Sequence, residues 1–177
     1  MDVLKKQTMY TISDIYALPD GERAELIDGQ IYNMMPPGRL HQKISWKLHQ
    51  AIANYIDSRN GLCEVYAAPF AVFLNDDDIN YVEPDLSVIC DLSKLDDKGC
   101  HGAPDWVIEI VSSGSRSRDY MTKLFKYRTA GVREYWIVDP DKQMIMVYGF
   151  EKDMVEKYDF NEAVPAGIYE GFTVKIE

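Results

Sequence analysis

The stretch from Pro104 to Pro140, PDWVIEIVSSGSRSRDYMTKLFKYRTAGVREYWIVDP, limits what this chain can fold into more than any other. It reads as strand, basic turn, helix and strand. Trp106, Val107, Ile108, Ile110 and Val111 form a continuous apolar run, the pattern of a strand buried on both faces. Glu109 sits inside that run, where an ionised carboxylate is costly without a cation or several donors. Cations follow directly. Between Gly114 and Arg133 lie Arg116, Arg118, Lys123, Lys126, Arg128 and Arg133, with Asp119 the one acid among them. The whole chain carries a net charge of −10, so this basic island runs against the trend. A carboxylate in an apolar strand beside a basic helix is a candidate site.

A length of 177 residues suits one domain spanning 1–177. A hydrophobic content of 46% suffices for a packed core, and no apolar run approaches the roughly 18 residues of a membrane span. The opening MDVLKKQTMYTISDIY has no apolar segment of the secretory kind. Cys63, Cys90 and Cys100 are odd in number and far apart, which fits a reduced compartment, with Cys63 and Cys90 buried in strand-like runs. A cytoplasmic protein with no membrane association is expected. The acidity excludes a general nucleic-acid coat, because nonspecific binding depends on neutralising phosphates. It leaves room for a local basic groove, since charges are screened beyond roughly 8–10 Å.

Along the chain, residues 11–20 read as a short helix entered at Ser13 or Asp14 and stopped before Pro19. Residues 23–35 read as a hairpin turning at Asp28-Gly29. Glu25 and Asp28 are expected as solvent-facing charges on it. Ile44, Leu48, Ala51, Ile52, Tyr55 and Ile56 make a helical stripe over 41–59, with His41 in the first turn and Asn60-Gly61 at the end. Strands are expected at 63–75 and 81–90, joined by a solvated turn, Asp76-Asp77-Asp78, that lacks the Gly and distal Glu of a calcium loop. Glu83-Pro84-Asp85 interrupts the second strand, as proline does at an edge or a strand end. A long turn over 92–103 leads to the Glu109 strand. A helix over 119–130 closes at Gly131, a strand follows at 134–138, and β-structure continues over 142–160 and 172–176.

Asp85 and Glu109 lie on strands close in the chain, and paired strands are about 4.8 Å apart. Two such carboxylates can converge on one divalent cation, which takes oxygen ligands together with water and substrate phosphate. Asp105 is a rival first ligand, but four residues along one strand put it roughly 13 Å from Glu109. A phosphodiester substrate also calls for a lysine near the nucleophile or the developing charge. Lys123 is the best placed, with Tyr120 and Tyr127 expected on its helix face; Lys126 is the alternative. Arg116 and Arg118 suit bidentate phosphate contacts, or are ordinary exposed turn residues.

The combination ELIDGQI, EPDLSVI, PDWVIEIVS and RDYMTKLFKYRTAGVREYWIVDP resembles the Uma-two family of restriction-endonuclease-like proteins, placed in the PD-(D/E)xK nuclease superfamily. The resemblance runs from about Tyr10 to Tyr148. It implies an α+β fold with a restriction-endonuclease-like αβββαβ core over about 41–139, a mixed sheet flanked by helices. A β-hairpin at 23–35 and a β-meander over 142–177 would be additions to it. It implies that Pro84-Asp85 is the PD element and Glu109 the acid of the second element. The lysine two positions on is replaced by Val111, and Asp119-x-x-x-Lys123 matches a family pattern in which the lysine has moved to the helix. The family's Ser-Pro-Ser-Thr after the acidic strand is here Ser112-Ser113-Gly114-Ser115. By the same resemblance Glu25 and His41 are supporting residues, Tyr127 shapes the lysine face, and the Ile110 carbonyl joins Asp85 and Glu109 around Mg2+ or Mn2+. DNA as substrate and a homodimer as the working form are implied too. A catalytically inactive domain of this fold that binds nucleic acid or protein remains the alternative. A hydrolase acting on a sugar or small phosphate through the same carboxylates is a third.

Overall fold

The computed structural model describes residues 8–75 and 77–176. In chain order it contains α1 (Ile12–Tyr16), β1 (Ala24–Ile27), β2 (Gln30–Asn33), α2 (Arg39–Ser58), β3 (Glu64–Ala67), β4 (Val72–Phe73) and β5 (Leu86–Ile89). These are followed by β6 (Leu95–Asp96), β7 (Gly99–His101), β8 (Trp106–Ile110), a π-helical turn (Arg118–Lys123) and α3 (Leu124–Ala130). The chain ends with β9 (Glu134–Asp139), β10 (Met144–Gly149), β11 (Met154–Asp159), β12 (Val164–Pro165) and β13 (Thr173–Val174). The α2-β3-β5-β8-α3-β9 succession is the expected αβββαβ order in a mixed α+β fold, with β4, β6 and β7 inserted.

The central sheet has the order β11-β10-β9-β8-β5-β3, and only β8 and β9 pair in parallel among its described strands. That parallel pair needs a crossover, which the π turn and α3 supply. β8 and β9 are buried at every position, as apolar runs on both faces demand. Period-two alternation divides them. Trp106, Ile108, Ile110, Trp136 and Val138 join Ile44, Leu48, Ile52 and Ile56 of α2 in one core, which β12 and β13 close with Val164 and Val174. Val107, Val111, Tyr135 and Ile137 face the other way and pack with Tyr127 of α3, Ile27 and Val72. Glu109 therefore points to the α3 side of the sheet.

Several expectations need correction. α1 is capped by Thr11, which is bracketed by the Asp14 carboxylate, rather than entered at Ser13 or Asp14. The expected strand over 63–75 is two strands in different sheets, since Pro69 has no N–H for a ladder. The expected long turn over 92–103 contains β6 and β7, which pair with each other and with β4. Cys63 and Cys90 form a disulfide rather than free thiols, because they flank the paired strands β3 and β5. Strand adjacency, which a sequence separation of 27 does not reveal, brings them together. Asp77 accepts from Ile79 N and Asn80 Nδ2, so the acidic turn is held by its own side chain; Asp76 lies outside the described residues. Among the described residues no helix is long and apolar enough to cross a membrane.

Trp106 and Trp136 meet edge to face across β8 and β9 at 4.7 Å between centroids and are both fully buried. Trp136→Ala is expected to cost about 3–5 kcal/mol, read as a lowered midpoint in urea unfolding.

Candidate active site

Five segments, β8, β5, α2, β1 and the π turn, bring charged side chains to one point. β8 contributes Glu109, by the alternation that sends its neighbours into the core. β5 begins just after Asp85, and its antiparallel register pairs Leu86 with Ile108. One step back along that register lies Asp85 beside Glu109 and Ile110, and Asp85 Oδ2 accepts from the Ile110 N–H at 2.7 Å. α2 brings His41, whose Nε2 lies 3.1 Å from the same Asp85 oxygen. The β1 strand of the hairpin brings Glu25.

Glu25 is 0% exposed, which overturns its expectation as a solvent-facing hairpin charge. Asp28 at the turn keeps the exposed role and pairs with Lys126. Burial of Glu25 is possible because Lys123, itself 3% exposed, donates to Glu25 Oε1 at 2.7 Å and to Glu109 Oε1 at 2.8 Å. The Glu83 N–H adds a bond to Glu25 Oε1 at 3.1 Å, and Tyr127 OH donates to Glu109 at 2.6 Å. Asp119 Oδ1 lies 3.9 Å from Lys123. The segment carrying Asp119 and Lys123 is a π turn rather than the expected α-helix. Such wide turns hold residues four apart on one face and occur often at functional sites. Tyr127 takes its expected place on the lysine face, whereas Tyr120 turns away to Asp139.

The basic island is largely spent on ion pairs. Arg116 binds Asp139 and Asp141, Lys126 binds Asp28, Arg128 binds Asp153, and Arg133 binds Asp105 and Glu151. Lys126, the alternative to Lys123, is therefore directed to the hairpin turn. Asp105, the rejected rival ligand, caps the Cys90 N–H and the Arg133 pair instead. Arg118 stays at the site, 3.6 Å from Glu25 and over the Tyr32 ring. Its Nε is buried without a hydrogen-bond partner, as are Glu25 Oε2, Asp119 Oδ1 and His41 Nδ1. All open into one cleft of about 610 Å3 that also admits Asp85, Glu109 and Ile110.

Four carboxylates share this space with Lys123 and Arg118, so negative charge is in excess. Burial first, and then the charges of Asp119, Asp85 and Glu25, lift Glu109 to about 8 despite the attraction of Lys123. Burial likewise raises Asp119. Burial disfavours the charged form of Lys123, but the surrounding carboxylates outweigh it and hold the ammonium charged. For His41, burial is likewise outweighed, by the hydrogen bond and charge of Asp85 with help from the Ile110 carbonyl. Tyr127 is pushed up by burial and by Glu109, which keeps it a donor.

A divalent cation fits this surplus. Asp85 Oδ1 and Glu109 Oε2 carry no hydrogen bond among the described residues. Among those residues no group of three or more His, Cys, Asp or Glu side chains is disposed to hold a metal. The protein's share would thus be two carboxylates and a carbonyl, the sparse provision typical of magnesium, with water and substrate phosphate completing the shell.

An unfolded chain releases the Glu109 proton near 4.5, whereas the folded protein keeps it to about 8. The unfolded state therefore binds fewer protons between those values, and stability falls as the pH rises through that window. Urea unfolding of metal-free protein is expected to show this decline, and Glu109→Gln is expected to lack it. Lys123→Met leaves two buried carboxylates without their cation and is expected to cost about 3–5 kcal/mol at pH 8.

Known proteins share this fold. The solved structure of a "putative nuclease belonging to DUF820 from Anabaena variabilis ATCC 29413" superposes with a TM-score of 0.76 over 94% of each chain, at 21% identity. That likeness fixes the fold as restriction-endonuclease-like. The uncharacterized protein slr1290 of Synechocystis sp. is 28% identical over 128 residues, 72% of this chain. The match spans 66% of that relative's own length. Residues 12–175 match the model of the Uma2 family, described as "Putative restriction endonuclease", and the chain belongs to that family.

Proposed function

We propose that this protein is a metal-dependent endonuclease that hydrolyses DNA phosphodiester bonds in the cleft around Lys123. The convergence of Asp85, Glu109 and Lys123, with carboxylate oxygens to spare, carries this reading. Family membership supports a nuclease in general terms.

Asp85, Glu109 and the Ile110 carbonyl would hold Mg2+ or Mn2+. Such a cation, when bound, polarises the phosphate and makes water a better nucleophile. The chain's own residues do the rest. His41 and the Ile110 N–H fix one Asp85 oxygen, leaving the other for the cation. Tyr127 and Lys123 fix one Glu109 oxygen in the same way. Lys123 remains charged at neutral pH and offers a proton-bearing nitrogen to the attacking water and to the charge that builds on the phosphate. Glu25 positions that ammonium between the two carboxylates. Arg118, with a buried unpartnered Nε, is the cation available for a nonbridging phosphate oxygen. Water oxygen bonds to phosphorus and gives up a proton to solvent, one ester P–O bond breaks, and the leaving oxygen takes up a proton.

The pH dependence follows from the same charges. Cation binding must displace the proton that Glu109 holds below about 8. Activity at subsaturating metal is therefore expected to rise with pH toward that value.

Purified protein is expected to cut DNA, supplied as a single-stranded circle and as supercoiled plasmid, with Mg2+ or Mn2+. Asp85→Ala, Glu109→Ala and Lys123→Ala should each lower the rate by about 100-fold or more, and EDTA should abolish it. Cleavage that persists in Glu109→Ala would place the activity elsewhere. Hydrolysis that persists in EDTA would favour a metal-free hydrolase. An inactive wild type that binds no metal would favour an interaction module.

A further inference from the structure

α2 carries two stripes. Ile44, Leu48, Ile52 and Ile56 recur every fourth residue and are buried against the sheet. His41, Gln42, Ser45, Trp46 and His49 recur at intervals of three and four on another face and line the cleft. That second stripe holds no acid and one large aromatic. Trp46 is 62% exposed, whereas Trp106 and Trp136, the other two of three tryptophans, are fully buried. Met35 and Leu40 are exposed along the same cleft. The wall beside the carboxylates thus carries an exposed indole and no acid of its own.

Duplex DNA is bound chiefly by neutralising its phosphates with lysine and arginine. Here Arg23, Arg116, Lys126, Arg128 and Arg133 are already paired with carboxylates, and the net charge is −10. The carboxylate side chains sit deep: those of Asp85, Glu109 and Glu25 are 16%, 6% and 0% exposed. A cleft of about 610 Å3 has the volume for a nucleotide or a similar small group rather than a double helix. A flexible single strand can bring a phosphate to that floor, and with most cations of the basic island already paired the base supplies much of the affinity. Aromatic side chains provide that affinity by stacking, whatever the base.

We propose that Trp46 is a stacking platform for an unpaired nucleobase, with Gln42 and Ser45 offering hydrogen bonds to its edge, and that the substrate is single-stranded DNA. The inference rests on the nuclease reading and specifies its substrate.

The test titrates metal-free protein in chelator with a short oligothymidylate, following tryptophan emission. Trp46 is the exposed reporter against two buried ones. Saturable quenching is expected, with no quenching by an abasic strand of equal length and weaker binding of the same oligonucleotide paired in a duplex. Trp46→Ala should weaken single-strand binding about 10- to 100-fold, while Trp46→Phe should stay within a few-fold. Its exposure means that thermal unfolding should be unchanged. Equal affinity for abasic or duplex DNA, or an unchanged affinity in Trp46→Ala, would overturn the proposal. If quenching appears but no DNA is cut with Mg2+ or Mn2+, the stacking site stands and the nuclease reading falls. If Trp46→Ala cuts single strands and duplex at wild-type rates, the nuclease reading stands and the stacking site falls.

Discussion

The ammonium of Lys123, buried between Glu25 and Glu109, ties the hairpin to the central sheet and to the crossover helix. Its partners come from segments 98 and 14 residues away in the chain, so it forms only when all three elements are docked. A lone ammonium or carboxylate at such depth would shift its pKa and lose its charge. Together they stay, but not in balance: one lysine faces Glu25, Glu109 and Asp119, with Asp85 alongside. Burial first, and then the residual negative charge, lift Glu109, and buried oxygens on Glu25 and Asp119 are left without partners. A second cation relieves that imbalance, and so does a proton. On the proposed reading the site exchanges one for the other.

Much of the scaffold was legible before any coordinates, because its signals are local. The apolar runs around Glu109 and Trp136, the stripe of α2, the Asp28-Gly29 turn and the Gly131 stop each follow from period or turn chemistry. Adjacency of the Asp85 and Glu109 strands was also legible, since they are close in the chain. What could not be read has a common cause: long-range partners. Glu25 looks like hairpin charge until Lys123 reaches it. Cys63 and Cys90 look like free thiols until β3 and β5 pair. The basic island looks available for phosphate until Asp28, Asp139 and Asp153 fold onto it. Nothing in the spacing of Asp119 and Lys123 separates a π turn from an α-helix. Beside the family resemblance, the physical clue to Glu25 was its setting, a carboxylate in a four-residue strand otherwise made of Ala24, Leu26 and Ile27.

These departures cluster. A carboxylate inside an apolar strand, a buried lysine, a buried hairpin glutamate and a π turn all meet at one cleft; outside it, the buried Glu134 and Asp139 at the ends of β9 are satisfied by donors of their own. Local rules are broken where function pays for it. In the basic island the other cations are paired with carboxylates, so on the proposed reading a polyanion is met in the cleft, by Arg118, Lys123, a bound cation and the exposed Trp46.

Manganese binding, followed by the loss of the free-ion signal in electron paramagnetic resonance, tests the cation site most directly. Wild-type protein is expected to bind Mn2+ saturably, more tightly as the pH rises toward 8. Asp85→Ala and Glu109→Gln are each expected to lose that binding while remaining folded. Binding that survives in both variants, or that is absent from the folded wild type at pH 8, would contradict a divalent cation held by Asp85 and Glu109.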